Sequence, residues 1–327
     1  MGLLTVTATL DIRQIWPGGS SDADTLRVKL KGAKPFKFTT QPGGLAQTTD
    51  AFGGAFIRVK GRKEPVITGD GSLRVRLQGV DAPELHYRPV SRLKELRQNH
   101  AESAAKALGG HLRDSFGNKD VLECTAITRV AEPGEVFDMY ARFIGDVVVT
   151  EGGVKFNVNQ WLVEQGWALP SFYNSMTNEE IQVLTELTGR ARDARRGVWG
   201  YKGYTSKIGV LDRTLIYRKP GSLPAKDAGP VILPKLFRRQ YMWADDVDRG
   251  ESTAASLKAY LLEPSPSKRD KFMDARKFLL DRASAPVNDL AAAIRSDARL
   301  GLRPERIVFL EAEATLFAAN GQPVRDW

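Results

Sequence analysis

The chain has 327 residues, 42% hydrophobic and 27% charged, which is long enough to bury a sizeable core and ordinary for a globular protein. No apolar run reaches the length of a bilayer span, and the single cysteine, Cys124, excludes an internal disulfide. A net charge of +9 and a pI of about 9.6 point to polyanionic partners, nucleic acid first.

The first residues carry no basic segment followed by an apolar run, which predicts no signal peptide and a cytoplasmic location. Residues 4–15 alternate and are rich in β-branched side chains, the pattern of a first strand. A turn at Pro17–Ser21 leads to a second strand over Asp24–Leu30, with Asp22 and Asp24 on one face. Residues 31–70 form a Gly- and Lys-rich stretch containing Gln41-Pro-Gly-Gly and Phe52-Gly-Gly-Ala-Phe, with a further strand expected over Ala55–Lys60. Such a stretch is either a substrate-gripping flap or a plain surface loop.

Leu73, Val75 and Leu77 alternate with Arg74, Arg76 and Gln78, so a half-buried strand runs toward Val80 or Asp81, where Pro83 stops it. That places a guanidinium on the polar face, the carboxylate of Asp81 at the strand end and that of Glu84 past the turn. These are the groups needed to hold a metal ion beside a phosphate. His86 follows; hard cations take oxygen ligands and no second histidine stands nearby to suggest zinc.

A helix is expected over 91–113, with Leu93, Leu96, His100, Ala104, Leu108 and Leu112 on one stripe and Gly109-Gly110 interrupting it. A strand over Val121–Val130, a turn at Pro133-Gly134 and a strand over Asp138–Val149 follow, with Arg142 near the start of the last. Thr177 and Glu180 form a capping box for a helix that buries Ile181, Leu184, Leu187, Ala191 and Ala194 and ends near Gly197.

Composition shifts after Tyr201. Residues 217–230 read as a linker, and Phe237-Arg-Arg-Gln-Tyr-Met-Trp interleaves cations with aromatics, for nucleic acid or for packing. Helices are expected near 254–262, 267–283 and 287–297, and a strand over Arg306–Phe317. No catalytic signature lies in this part.

Three motifs occur in order: Asp22-Ala-Asp24-Thr, Arg76-Leu-Gln-Gly-Val-Asp81-Ala-Pro-Glu84 and Asp138-Met-Tyr-Ala-Arg142. Together they resemble the signatures of the staphylococcal-nuclease (thermonuclease) family, over roughly residues 5–200. Asn159–Ala168 and Ala194–Trp199 resemble that family's short helix and closing segment. The resemblance implies an α+β fold: an OB-type five-stranded β-barrel carrying helices, plus a C-terminal α/β extension of unknown fold.

It implies a nuclease domain over 1–200, with 31–70 inserted in it, and an accessory region over 201–327. It also implies a calcium-dependent phosphodiesterase, with magnesium the lesser alternative, that cuts DNA or RNA with little sequence preference and leaves 3′-phosphate ends. By the same resemblance Asp24, Asp81 and the Ala82 carbonyl hold the cation, and Arg76 and Arg142 clamp the phosphate. Glu84 orients or deprotonates the attacking water, and Phe172 and Tyr173 stand where bases stack. Ala82 departs from the family's usual threonine but keeps the carbonyl. The competing reading is a non-catalytic nucleic-acid-binding module on the same barrel.

Overall fold

The computed structural model describes all residues except 1, 33–34, 41–45, 49–56, 88–95, 201–230, 266–269, 296–299, 312–313 and 326–327. The linker expected over 217–230 and the two Gly-Gly segments of the insertion therefore lie outside the described residues.

The first half of the chain runs β1 (Gly2–Asp11), β2 (Thr25–Leu30), β3 (Phe36–Thr40), β4 (Ala46–Thr48), β5 (Arg58–Val59), β6 (Ser72–Leu77), β7 (Val80–Asp81) and α1 (Ala101–Ser115). It continues through β8 (Val121–Val130), β9 (Phe143–Glu151), β10 (Val154–Asn157), α2 (Val158–Glu164), β11 (Leu169–Pro170), β12 (Phe172–Tyr173) and α3 (Asn178–Asp193). The alternation that predicts each strand also fills the core: Leu4, Val6, Ala8 and Leu10 of β1 face Leu26, Val28, Leu73, Val75, Ala126 and Val147, all essentially without exposure.

β1 pairs with β2 and with β8, β2 with β6, β6 with β9 in parallel, and β9 with β8. That circuit returns to β1 and closes a five-stranded barrel, so none of its five strands is left with a bare edge along its whole length. β3, from the insertion, pairs with Gly2–Val6 of β1 beyond the end of β2, and β4 pairs with β3. Part of 31–70 is thus sheet rather than loop.

The first helix departs from expectation at two points. Of the helix predicted over 91–113, residues 91–95 lie outside the described residues and 96–100 are not helical: Leu96 bridges Tyr87 in an antiparallel pair, His100 takes a left-handed φ of 63° that a helix interior excludes, and the helix begins at Ala101. Gly109 and Gly110 do not end it either, since the helix runs to Ser115 with Ala104, Ala105, Leu108 and Leu112 buried.

The rest of the chain forms α4 (Pro234–Asp248), α5 (Leu257–Tyr260), β13 (Lys271–Asp274), α6 (Ala275–Leu280), β14 (Asn288–Asp289), β15 (Ile307–Phe309) and β16 (Leu316–Phe317). The helix expected near 267–283 is a strand followed by a short helix. β15 pairs with β13 and, in parallel, with β12, and β16 pairs with β5. A second apolar cluster joins Leu169, Ala191, Val198 and Trp199 to Leu236, Trp243, Tyr260, Phe272 and Phe309, so side chains from both sides of residue 200 share one core.

Candidate active site

The site lies where β2 begins and β6 ends. Gly79, at φ 75°, turns the chain between β6 and β7; a Cβ there would lie 2.5 Å from Leu184 Cδ1. The turn is held by buried Asn159, whose Nδ2 donates to the Gln78 carbonyl at 2.9 Å and whose Oδ1 accepts from Val147 N at 3.2 Å. β7 then pairs with β11, which fixes Asp81 at zero exposure.

Asp24 ties the three segments together. Its carbonyl accepts from Leu77 N at 2.9 Å, its Oδ2 from Ala82 N at 2.7 Å, and its Oδ1 from Thr25 Oγ1 at 3.2 Å. Arg76 lies between the two aspartates, paired through Nη1 with Asp24 Oδ2 and through Nη2 with Asp81 Oδ1 at 2.5 Å. Arg142 stands on the far side of Thr25: its Nε donates to Asp138 Oδ2 at 2.7 Å and its Nη1 to Thr25 Oγ1 at 3.3 Å. The exposed Tyr140 ring lies 5.4 Å from the Arg142 guanidinium and 5.0 Å from that of Arg62.

Glu84 is mostly buried. Its N–H donates to Gln98 Oε1 at 2.9 Å, and its carbonyl accepts from Gln98 N at 2.8 Å. Its Oε1 accepts from Arg238 of α4. Arg238 Nη2 also lies 3.6 Å from Asp81 Oδ2. Motif reasoning over residues 5–200 missed this residue. The available signal was the spacing of Leu233, Phe237, Tyr241 and Ala244 around Pro234 at the helix start, which marks an apolar helical stripe with Arg238 beside it.

Phe172 has no exposed surface, and its strand pairs with β15, so it offers no face to a base. Tyr173 is half-buried, 6.0 Å from the Phe309 ring, with Lys235 Nζ 5.6 Å above it. His86 Nε2 lies 3.9 Å from Asp22 Oδ1.

The electrostatics are those of a crowded acidic centre threaded by guanidiniums. Burial, with Asp24 and Glu84 nearby, pushes the Asp22 carboxyl up to about 8. Burial also raises Glu84, against the pull of Arg238. Asp81 moves the other way: burial opposes its charge, but Arg238 and Arg76 hold it below its usual value.

Among the described residues no three His, Cys, Asp or Glu side chains form a ready metal cage. The donor set nevertheless fits a hard cation. Asp22, Asp24, Asp81 and Glu84 offer only oxygens, and Asp22 Oδ1 and Asp81 Oδ2 are buried without a hydrogen-bond partner.

A family model described as staphylococcal nuclease homologue matches residues 74–201. Residues 74–201 form a staphylococcal nuclease homologue domain. Among curated proteins, Endonuclease YhcR of Bacillus subtilis (strain 168) is 29% identical over 138 residues, covering 42% of this chain but 10% of that protein. The nuclease-homologue match contains Arg76, Asp81, Ala82, Glu84 and Arg142. Asp22 and Asp24 precede it and Arg238 follows it; only the fold brings them to the same place.

Proposed function

We propose that the chain is a calcium-dependent phosphodiesterase that cleaves DNA or RNA with little sequence preference and leaves 3′-phosphate ends. The observation that carries this reading is the convergence of Arg76, Asp24, Asp81 and Glu84, with Arg142 across Thr25. Asp24, Asp81 and the Ala82 carbonyl would hold the cation, which when bound supplies Lewis-acid polarisation of the scissile phosphate.

Arg76 and Arg142 bind and orient that phosphate. A guanidinium has five donors, so the two ion pairs of Arg76 leave others for phosphate oxygens. Charge grows on those oxygens as the water attacks, and donors aimed at them lower the barrier. Glu84 receives the proton of the attacking water, and the leaving 5′ oxygen departs from phosphorus on the opposite side. Contacts confined to the backbone account for weak sequence preference.

The test is cleavage of a labelled single-stranded DNA by the full chain with calcium, with magnesium and with EGTA. Cleavage is expected with calcium and absent with EGTA, and Arg142→Ala should lower kcat by about 10²–10³-fold. Salt-sensitive binding without cleavage under any metal would make the barrel a binding module instead.

A further inference from the structure

We propose that Arg238 is a positioning residue of this site: it holds the Glu84 carboxylate where Glu84 meets the attacking water, so that α4 and the barrel build the site jointly. The inference deepens the function proposed above and rests on it.

The geometry begins with commitment. Arg76 is taken by Asp24 and Asp81, and Arg142 by Asp138 and Thr25. Among the described residues the cation bonded to Glu84 is Arg238, on Oε1. That leaves Oε2 as the oxygen to receive water. A glutamate side chain has several free rotors and, unbonded, spreads its carboxylate over many places.

The bond is supported from behind. Phe237 and Tyr241 of α4 pack with Leu96 and Ile232 in a small apolar cluster of their own, and Tyr87 meets their rings edge-on at 5.6 and 5.9 Å. Tyr87 Oη donates to the Arg238 carbonyl at 3.3 Å. Gln98, whose Oε1 takes the Glu84 N–H, donates through Nε2 to the Ile232 carbonyl at 3.1 Å. Main chain and side chain of Glu84 are therefore both fixed to the same segment, residues 232–241. Lys235 and Arg239, on the neighbouring turns, are anchored to Asp270, which sets the rotation of the helix.

The opposite role, a plug that blocks Glu84 until it withdraws, predicts the opposite sign and is separable by experiment. Full-length Arg238→Met is compared with wild type on a short single-stranded DNA with calcium. A positioning role lowers kcat by roughly 10–100-fold with KM little changed, since misplacing a catalytic group by about 1 Å costs on that order. Millimolar guanidinium chloride should restore part of the lost kcat in the variant and none in wild type, which a merely structural role would not do.

A variant with kcat equal to or above that of wild type overturns the proposal; a rise means that α4 acts as a brake. If Arg238→Met loses its cooperative thermal melt, Arg238→Gln is read in the same way. Wild type that cuts nothing sinks the nuclease function itself, whereas wild type that cuts while Arg238→Met keeps its full kcat sinks only the role of Arg238.

Discussion

Asp146 lies half-buried on β9, where its Oδ2 accepts from Asn157 Nδ2 at 2.7 Å. Burial, reinforced by Glu180, raises its carboxyl to about 6 despite that bond. The folded state therefore binds a proton more tightly than the unfolded chain. The stabilisation is complete below the ordinary aspartate pKa near 3.8 and is lost as pH rises through about 6. Asp146→Asn removes the charge but keeps an acceptor for Asn157. It should raise the melting temperature at pH 8, by an amount worth at most about 3 kcal/mol, and make no difference at pH 3.5. Equal melting curves at both pH values would show that Asp146 is solvated. The same contrast explains what single residues reveal in a sequence. Asp81 and Glu84 are legible because they sit in a short motif, whereas Asp146 acquires its character only from the strand and helix packed around it.

At the scale of elements, the turn between β6 and β7 sets the carboxylates. Gly79→Ala would force a positive φ on a residue with a Cβ and drive that carbon into Leu184 Cδ1 and Met176 Cε, at 2.5 and 2.7 Å. A loss of about 2 kcal/mol is expected in urea unfolding of the full chain. An unchanged midpoint would mean that α3 yields without cost. Elements whose signal is local were readable: β8 from its alternation, and α3 from the capping box of Thr177 and Glu180, whose two reciprocal bonds measure 3.2 and 2.8 Å. The start of α1 was not, because the apolar stripe continues upstream while Leu96 is claimed by Tyr87 and His100 by a left-handed turn. The stripe of α4 is ordinary; what gives it meaning is a partner, Tyr87, 150 residues away.

For the whole molecule, charge and cavity shape bear on how a long strand would lie. A cavity of about 430 Å³ is lined by Arg58, Lys60 and Arg62 of the insertion and by Phe317 and Gly321 near the C-terminus. Arg62 links it to the site through the Met139 carbonyl, at 2.9 Å, and the Tyr140 ring. In EGTA, binding of a single-stranded 20-mer should weaken with salt, and replacing Arg58, Lys60 and Arg62 with alanine should flatten the log–log slope by about 2, at roughly 0.7 per phosphate contact. An unchanged slope, measured by fluorescence anisotropy, would place the strand elsewhere. This cavity was illegible in the sequence because its walls come from residues 58–62 and 317–321, far apart in the chain and brought together by the pairing of β5 with β16.

The order of assembly along the chain has a consequence for synthesis. Asp22, Asp24, Arg76, Asp81, Glu84 and Arg142 all lie between residues 22 and 142, but the helix that bonds Glu84 begins at Pro234. At about 5–20 residues per second, a ribosome releases the barrel several seconds before it releases that helix. Over that interval the barrel would stand without its C-terminal partner, with Glu84 still unfixed. If Arg238 positions Glu84 as proposed, the site is complete only once that late helix has folded against the barrel.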